Sequence, residues 1–120
     1  MDQRPTSGDV KIAAWQMPVG ATAVNDALAA LRVQVLRCEE AGVSVLCCPE
    51  AAIGGLADYA AELDGMAIAT ADVDATFAPI ASERVTAIVG FTERGHDGWL
   101  DNAEAVVRRG AVAGIYRKVH

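Results

Sequence analysis

With 120 residues, 52% of them hydrophobic, and a mean hydropathy of +0.24, the chain can form one packed core and is too apolar for a disordered tail. Its formal charge of −6 argues against polyanionic partners, which select Lys/Arg-rich faces, so neither nucleic acid nor an anionic membrane surface is expected. The start MDQRPTSGD has no secretory apolar region, and no apolar run approaches the roughly 20 residues of a membrane helix, so a cytoplasmic protein acting on small molecules or other proteins is expected.

VKIAAWQM, residues 10 to 17, is apolar between Gly8-Asp9 and Pro18 and reads as a first strand. Val24, Leu28, Leu31, Val35 and Cys38 then recur at steps of four and three, which predicts a helix capped by Thr22 or Asn25 and ended by Gly42. VSVLCC, residues 43 to 48, is the next strand, and it stops on Pro49 and Glu50. The Ala-rich LADYAAELDGMAIA predicts helix at its start, and Val73, Phe77 and Ile80 form a second helical face. VTAIVGFTE, residues 85 to 93, is a strand; the loop RGHDG leads into a strand around NAEAVV; and Arg109-Gly110 turns the chain into AVAGIYRK as a hairpin. This order predicts an α/β fold with a mixed sheet and helices on one or both faces.

Position alone leaves two readings of Glu50. Strand ends line ligand crevices in α/β folds, and strand-to-helix loops also use acids as caps. Lys118, in an RK pair, reads by itself as a solvated charge, and no spacing joins it to Glu50. Cys47 and Cys48 lie in an apolar strand, where burial raises a thiol pKa and alternation sends their side chains to opposite faces; with Cys38 they read as buried small residues. No cysteine or histidine spacing suits a metal, no glycine-rich phosphate loop follows a strand, and Ser44, His96 and Asp97 make no triad, so no metal or cofactor is expected. Trp15 and Trp99 read as core and loop-packing residues.

Taken in order, KIAAWQ with Pro18, the helix ending EEAGV, VLCCPE, IVGFTE, DNAEAVV and GIYRKVH resemble the amino-terminal half of the carbon-nitrogen hydrolase (nitrilase/amidase) superfamily, from Val10 to His120. The resemblance implies residues 1–9 as a polar lead-in and 10–120 as a partial domain, the first part of a four-layer α-β-β-α sandwich. It also implies a Glu-Lys-Cys catalytic set, with Glu50 as general base and Lys118 stabilising the tetrahedral intermediate formed when a Cys thiolate attacks an amide or nitrile carbon.

The family nucleophile lies on an elbow beyond the Lys motif, and none of Cys38, Cys47 and Cys48 matches it; Cys48, Leu56 and Asp101 also depart from the usual pattern. The chain alone is therefore expected to be inactive, as a fragment, a truncated product or half of a split enzyme. Its expected partners are a small amide or nitrile substrate for the complete domain, and a second copy or a complementing half. The competing expectations are a non-catalytic interaction protein that keeps the half-fold and a doubly wound small-ligand domain lacking a phosphate loop.

Overall fold

The computed structural model describes residues 9–17, 23–54 and 66–118. In chain order the elements are β1 (Ile12–Ala14), α1 (Val24–Ala41), β2 (Val45–Cys47), β3 (Ile68–Ala69), a single 3-10 turn (Thr70–Asp72), α2 (Val73–Phe77), β4 (Thr86–Arg94), β5 (Leu100–Arg108) and β6 (Ala111–Arg117). The expected alternation is present. The first two strands are shorter than their apolar runs, pairing with each other only from Ile12 and Val45 to Ala14 and Cys47. The Ala-rich stretch expected to begin as a helix lies mostly outside the described residues, and its described end includes β3.

The periodicity of α1 has a direct physical outcome. Ala27, Leu28, Leu31, Val35 and Cys38 are its buried residues, and they share one core with Leu46 of β2, Ala87, Val89 and Phe91 of β4, and Ala103, Ala105 and Val107 of β5. Gly42 ends the helix in the left-handed region at φ 73, where a Cβ is disfavoured, and the Val43 N–H donates to the Cys38 carbonyl at 2.9 Å. The Ala41 carbonyl accepts from Lys11 Nζ at 2.8 Å. The start differs from expectation: Ala23 is the N-cap, Asn25 lies inside the first turn, and Thr22 lies outside the described residues.

Because Ala23 has no side-chain acceptor for the free N–H groups of the first turn, Ala23→Ser is expected to stabilise the chain by about 1 kcal/mol. The check is a melting temperature that rises by roughly 5 °C.

α2 is short, yet Val73, Phe77 and Ile80 are all buried, and the Phe77 ring meets Phe91 edge-on at a centroid distance of 5.6 Å. Trp15 packs against the core, whereas Trp99, expected to pack its loop, is 72% exposed.

The six strands among the described residues form one sheet in the order β1-β2-β4-β5-β6, with β3 against the far end of β4. β1, β2, β3 and β4 pair in parallel, and β4, β5 and β6 pair antiparallel, the mixed sheet expected. The β5–β6 hairpin turns on Arg109 and Gly110, both at positive φ (53 and 75), the backbone of a two-residue turn that matches strand twist.

Alternation gives the sheet two unlike faces. Ala87, Val89, Phe91, Ala103, Ala105 and Val107 point into the core. The register then sends Ile88, Gly90, Thr92, Asn102, Glu104, Val106 and Tyr116 to the opposite face, where most of the side chains are half-buried or exposed. Among the described residues no helix is long and apolar enough to cross a membrane.

Candidate active site

The chain that leaves β2, from Cys48 to Ile53, runs alongside β4 but does not keep step with it. The Cys48 N–H donates to the Ile88 carbonyl at 2.9 Å, and the next bond to β4 is from Ile53 N–H to Gly90 O at 3.0 Å. β4 thus advances from Ile88 to Gly90 while its neighbour advances from Cys48 to Ile53. The surplus is Pro49, Glu50 and Ala51, looped over the open face of the sheet.

Two features allow that loop. Ala51 takes φ 53, a region non-glycine residues enter rarely, and the Ala52 N–H closes back on the Pro49 carbonyl at 3.2 Å. Beneath it sits Gly90, where a Cβ would lie 2.6 Å from Ala51 N and 2.7 Å from Pro49 O. The loop therefore rests directly on the β4 backbone.

From this position the Glu50 carboxylate reaches across β4. Asn102 of β5 donates from Nδ2 to Glu50 Oε1, and Lys118 Nζ lies 3.4 Å from the same oxygen. The Lys118 N–H donates to the Asn102 carbonyl at 2.9 Å, so Asn102 holds one member by its side chain and the other by its backbone. The two sequence-predicted site residues, 68 positions apart, meet here.

Glu50, Asn102, Ala103, Glu104, Tyr116 and Lys118 line a cavity of about 280 Å³ on the open face. Among the described residues no donor reaches Glu50 Oε2, which leaves a carboxylate oxygen able to accept a proton beside a cation able to stabilise an anion. The side chains of Glu50 and Lys118 are 51% and 57% exposed, so their ion pair adds only about 0–1 kcal/mol. The sheet ladders and the loop hold this geometry, and the pair itself adds little to the fold.

No cysteine lines the cavity. Cys38 and Cys48 are buried and Cys47 is half-buried. Burial pushes the Cys48 thiol up to about 12, with Cys47 and Cys38 adding to the shift, and burial also raises Cys38. Both stay protonated at neutral pH and are poor nucleophiles. The sequence reading missed Asn102, Glu104 and Tyr116 as site residues. An amide inside an apolar strand run, where Asn is depleted, was the available signal for Asn102.

A second polar cluster lies on the core side. Glu93 of β4 is 0% exposed; Arg117 of β6 donates to both its oxygens, from Nε at 2.5 Å and from the guanidinium NH2 group at 2.9 Å, and Thr70 donates at 3.0 Å. The Arg117 hydrogen bonds hold the Glu93 carboxyl below its ordinary 4.5 against the opposing effect of burial, helped by Thr70, the Arg117 charge and His96. A carboxyl depressed on folding contributes stability above its unfolded value, and loses it as pH falls through the folded one. Glu93→Gln is thus expected to lower the melting temperature at neutral pH, by a margin that shrinks progressively on acidification below 4.5. Thermal melts of both proteins across that range check it; a margin independent of pH would contradict it.

No family model and no curated protein matches this chain, whereas solved structures do. A glutamine-dependent NAD+ synthetase from Acinetobacter baumannii, in complex with adenosine diphosphate, superposes with a TM-score of 0.69 at 18% identity over 88% of this chain and 20% of that one. The glutamine-dependent NAD(+) synthetase from Cytophaga hutchinsonii gives 0.66 at 20% identity, covering 92% and 19%. An N-terminal amidase gives 0.66 at 18% identity, covering 91% and 28%. At 18 to 20% identity this likeness shows the fold alone, and it is the nitrilase-type α/β fold expected from the sequence, present here in part. The chain spans only about a fifth to just over a quarter of their lengths.

Proposed function

We propose that this chain is the amino-terminal part of a hydrolase acting on carbon-nitrogen bonds other than peptide bonds, in a small amide or nitrile, with Glu50 and Lys118 in its catalytic set. The observation that carries the reading is the convergence of Glu50, Asn102 and Lys118 at one open cavity. The ion pair adds little stability, and the loop that presents Glu50 requires a left-handed Ala51 and a bare Gly90, so the arrangement makes better sense as chemistry than as packing.

In this reading Glu50 takes the proton of an attacking thiol and later of water, and Lys118 stabilises the negative charge developing on the tetrahedral intermediate. The thiol comes from a cysteine in a complementing half, since none of the three cysteines here lines the cavity. The chain alone is inactive.

The experiment is amide and nitrile turnover by the purified chain, alone and mixed with a polypeptide that supplies the cysteine-bearing half. Turnover only in the mixture is the expected result. A mixture that associates and folds but stays inactive overturns the reading, and an interaction protein retaining half the fold takes its place.

A further inference from the structure

Among the described residues β6 is an edge strand, paired only with β5, and its ladder carries an irregularity between Val106 and Val107. Strand ends at a sheet edge open readily, yet Lys118 lies one residue beyond this one. The neighbouring residue is tied down from elsewhere. The Arg117 guanidinium crosses β5 on the core side, where its cross-strand partner is the small Ala103, and makes two bonds to Glu93 of β4. Glu93 is in turn held by Thr70, whose hydroxyl also donates to the Arg94 carbonyl at 3.3 Å.

A planar guanidinium gripping both oxygens of a carboxylate fixes orientation as well as distance. Because neighbouring side chains alternate across a sheet, fixing Arg117 on the core side directs Lys118 to the open side, opposite Asn102 and toward Glu50.

We propose that Thr70, Glu93 and Arg117 form a positioning device that holds Lys118 against Glu50. The inference rests on the reading of Glu50 and Lys118 as the working pair, and it assigns the buried cluster a role beyond stability. None of its three residues lines the cavity, so they act through Lys118.

The test reads geometry without requiring activity. Lys118 is one of only two lysines in the sequence, the other being Lys11. A water-soluble carbodiimide activates the Glu50 carboxylate, and the Lys118 amine displaces the urea to leave an amide joining residues 50 and 118, quantified by peptide mass spectrometry. The intact chain is expected to give this cross-link, and Glu50→Gln to abolish it. Glu93→Gln and Arg117→Gln are expected to reduce it several-fold with the far-ultraviolet circular dichroism retained, and Thr70→Val to reduce it less.

The double variant Glu93→Gln/Arg117→Met separates positioning from stability, because it leaves no charge of the pair unpartnered. Recovery of the melting temperature with the cross-link still reduced is the expected result. Undiminished cross-linking in folded Glu93→Gln or Arg117→Gln, or recovery of cross-link and melting temperature together in the double variant, overturns the proposal. So does absence of the cross-link in the intact chain. Failure of turnover in the complemented mixture, with these cross-linking results intact, would instead count against the hydrolase reading.

Discussion

In a domain completed by a cysteine-bearing half, Glu50→Gln is expected to reduce amide turnover by about 10²-fold or more, the range for loss of a positioned general base. The substitution keeps the size of the side chain and its ability to accept the Asn102 hydrogen bond, so the loop over Gly90 should stay in place. What is lost is the carboxylate proposed to take the proton. Lys118→Ala is expected to cost a comparable about 10²–10³-fold, as for removal of a donor to a developing oxyanion. Its half-exposed ion pair with Glu50 contributes at most about 1 kcal/mol, so neither change should move the melting temperature far. Turnover and thermal melts of the same preparations decide the matter. Retained turnover in either variant removes that residue from the catalytic set, and a collapse of stability alongside lost turnover would make its role structural.

Gly90→Ala is expected to be the most damaging single-methyl change on the open face. The new Cβ would lie 2.6 Å from Ala51 N, 2.7 Å from Pro49 O and 3.1 Å from Glu50 C, and all three are backbone atoms that cannot rotate away. Either β4 or the loop must move, at a cost of about 2–3 kcal/mol, the upper part of the usual range for overpacking. The melting temperature should fall by roughly 10 °C or more. Glu50 should also leave Asn102 and Lys118, so the carbodiimide cross-link between residues 50 and 118 should drop with it. A contrast comes from Gly114 of β6, where a Cβ meets nothing within 4 Å and alanine should have little effect. Equal melting temperatures for both variants would show that the loop does not rest on Gly90 as described.

Much of the fold could be read along the chain because its causes are local. The three- and four-residue recurrence from Val24 to Cys38 is the face that α1 buries, Gly42 is the left-handed stop, and Arg109-Gly110 is the turn that joins β5 to β6. Boundaries were less legible where propensity and pairing disagree. The apolar run from Val10 to Met17 yields a strand of only three residues, because its described partner, β2, pairs over only three. Helix capping at Thr22 or Asn25 was equally reasonable by residue type, but the backbone places the cap at Ala23, so preference for a polar cap did not decide the start of α1.

The sequence by itself determined the order and type of the main described elements, the mixed character of the sheet and, through its motifs, the two residues to watch, Glu50 and Lys118. It did so because hydrophobic period and turn chemistry act over a few residues. Only the tertiary structure decided that these two side chains meet, that Asn102 joins them and that Gly90 must be bare beneath the loop. It also decided that Glu93 is buried and gripped by Arg117. Those facts depend on the pairing of β2, β4, β5 and β6, and above all on the loss of step between Cys48–Ile53 and Ile88–Gly90. Registers between segments distant along the chain are set by packing the whole sheet at once.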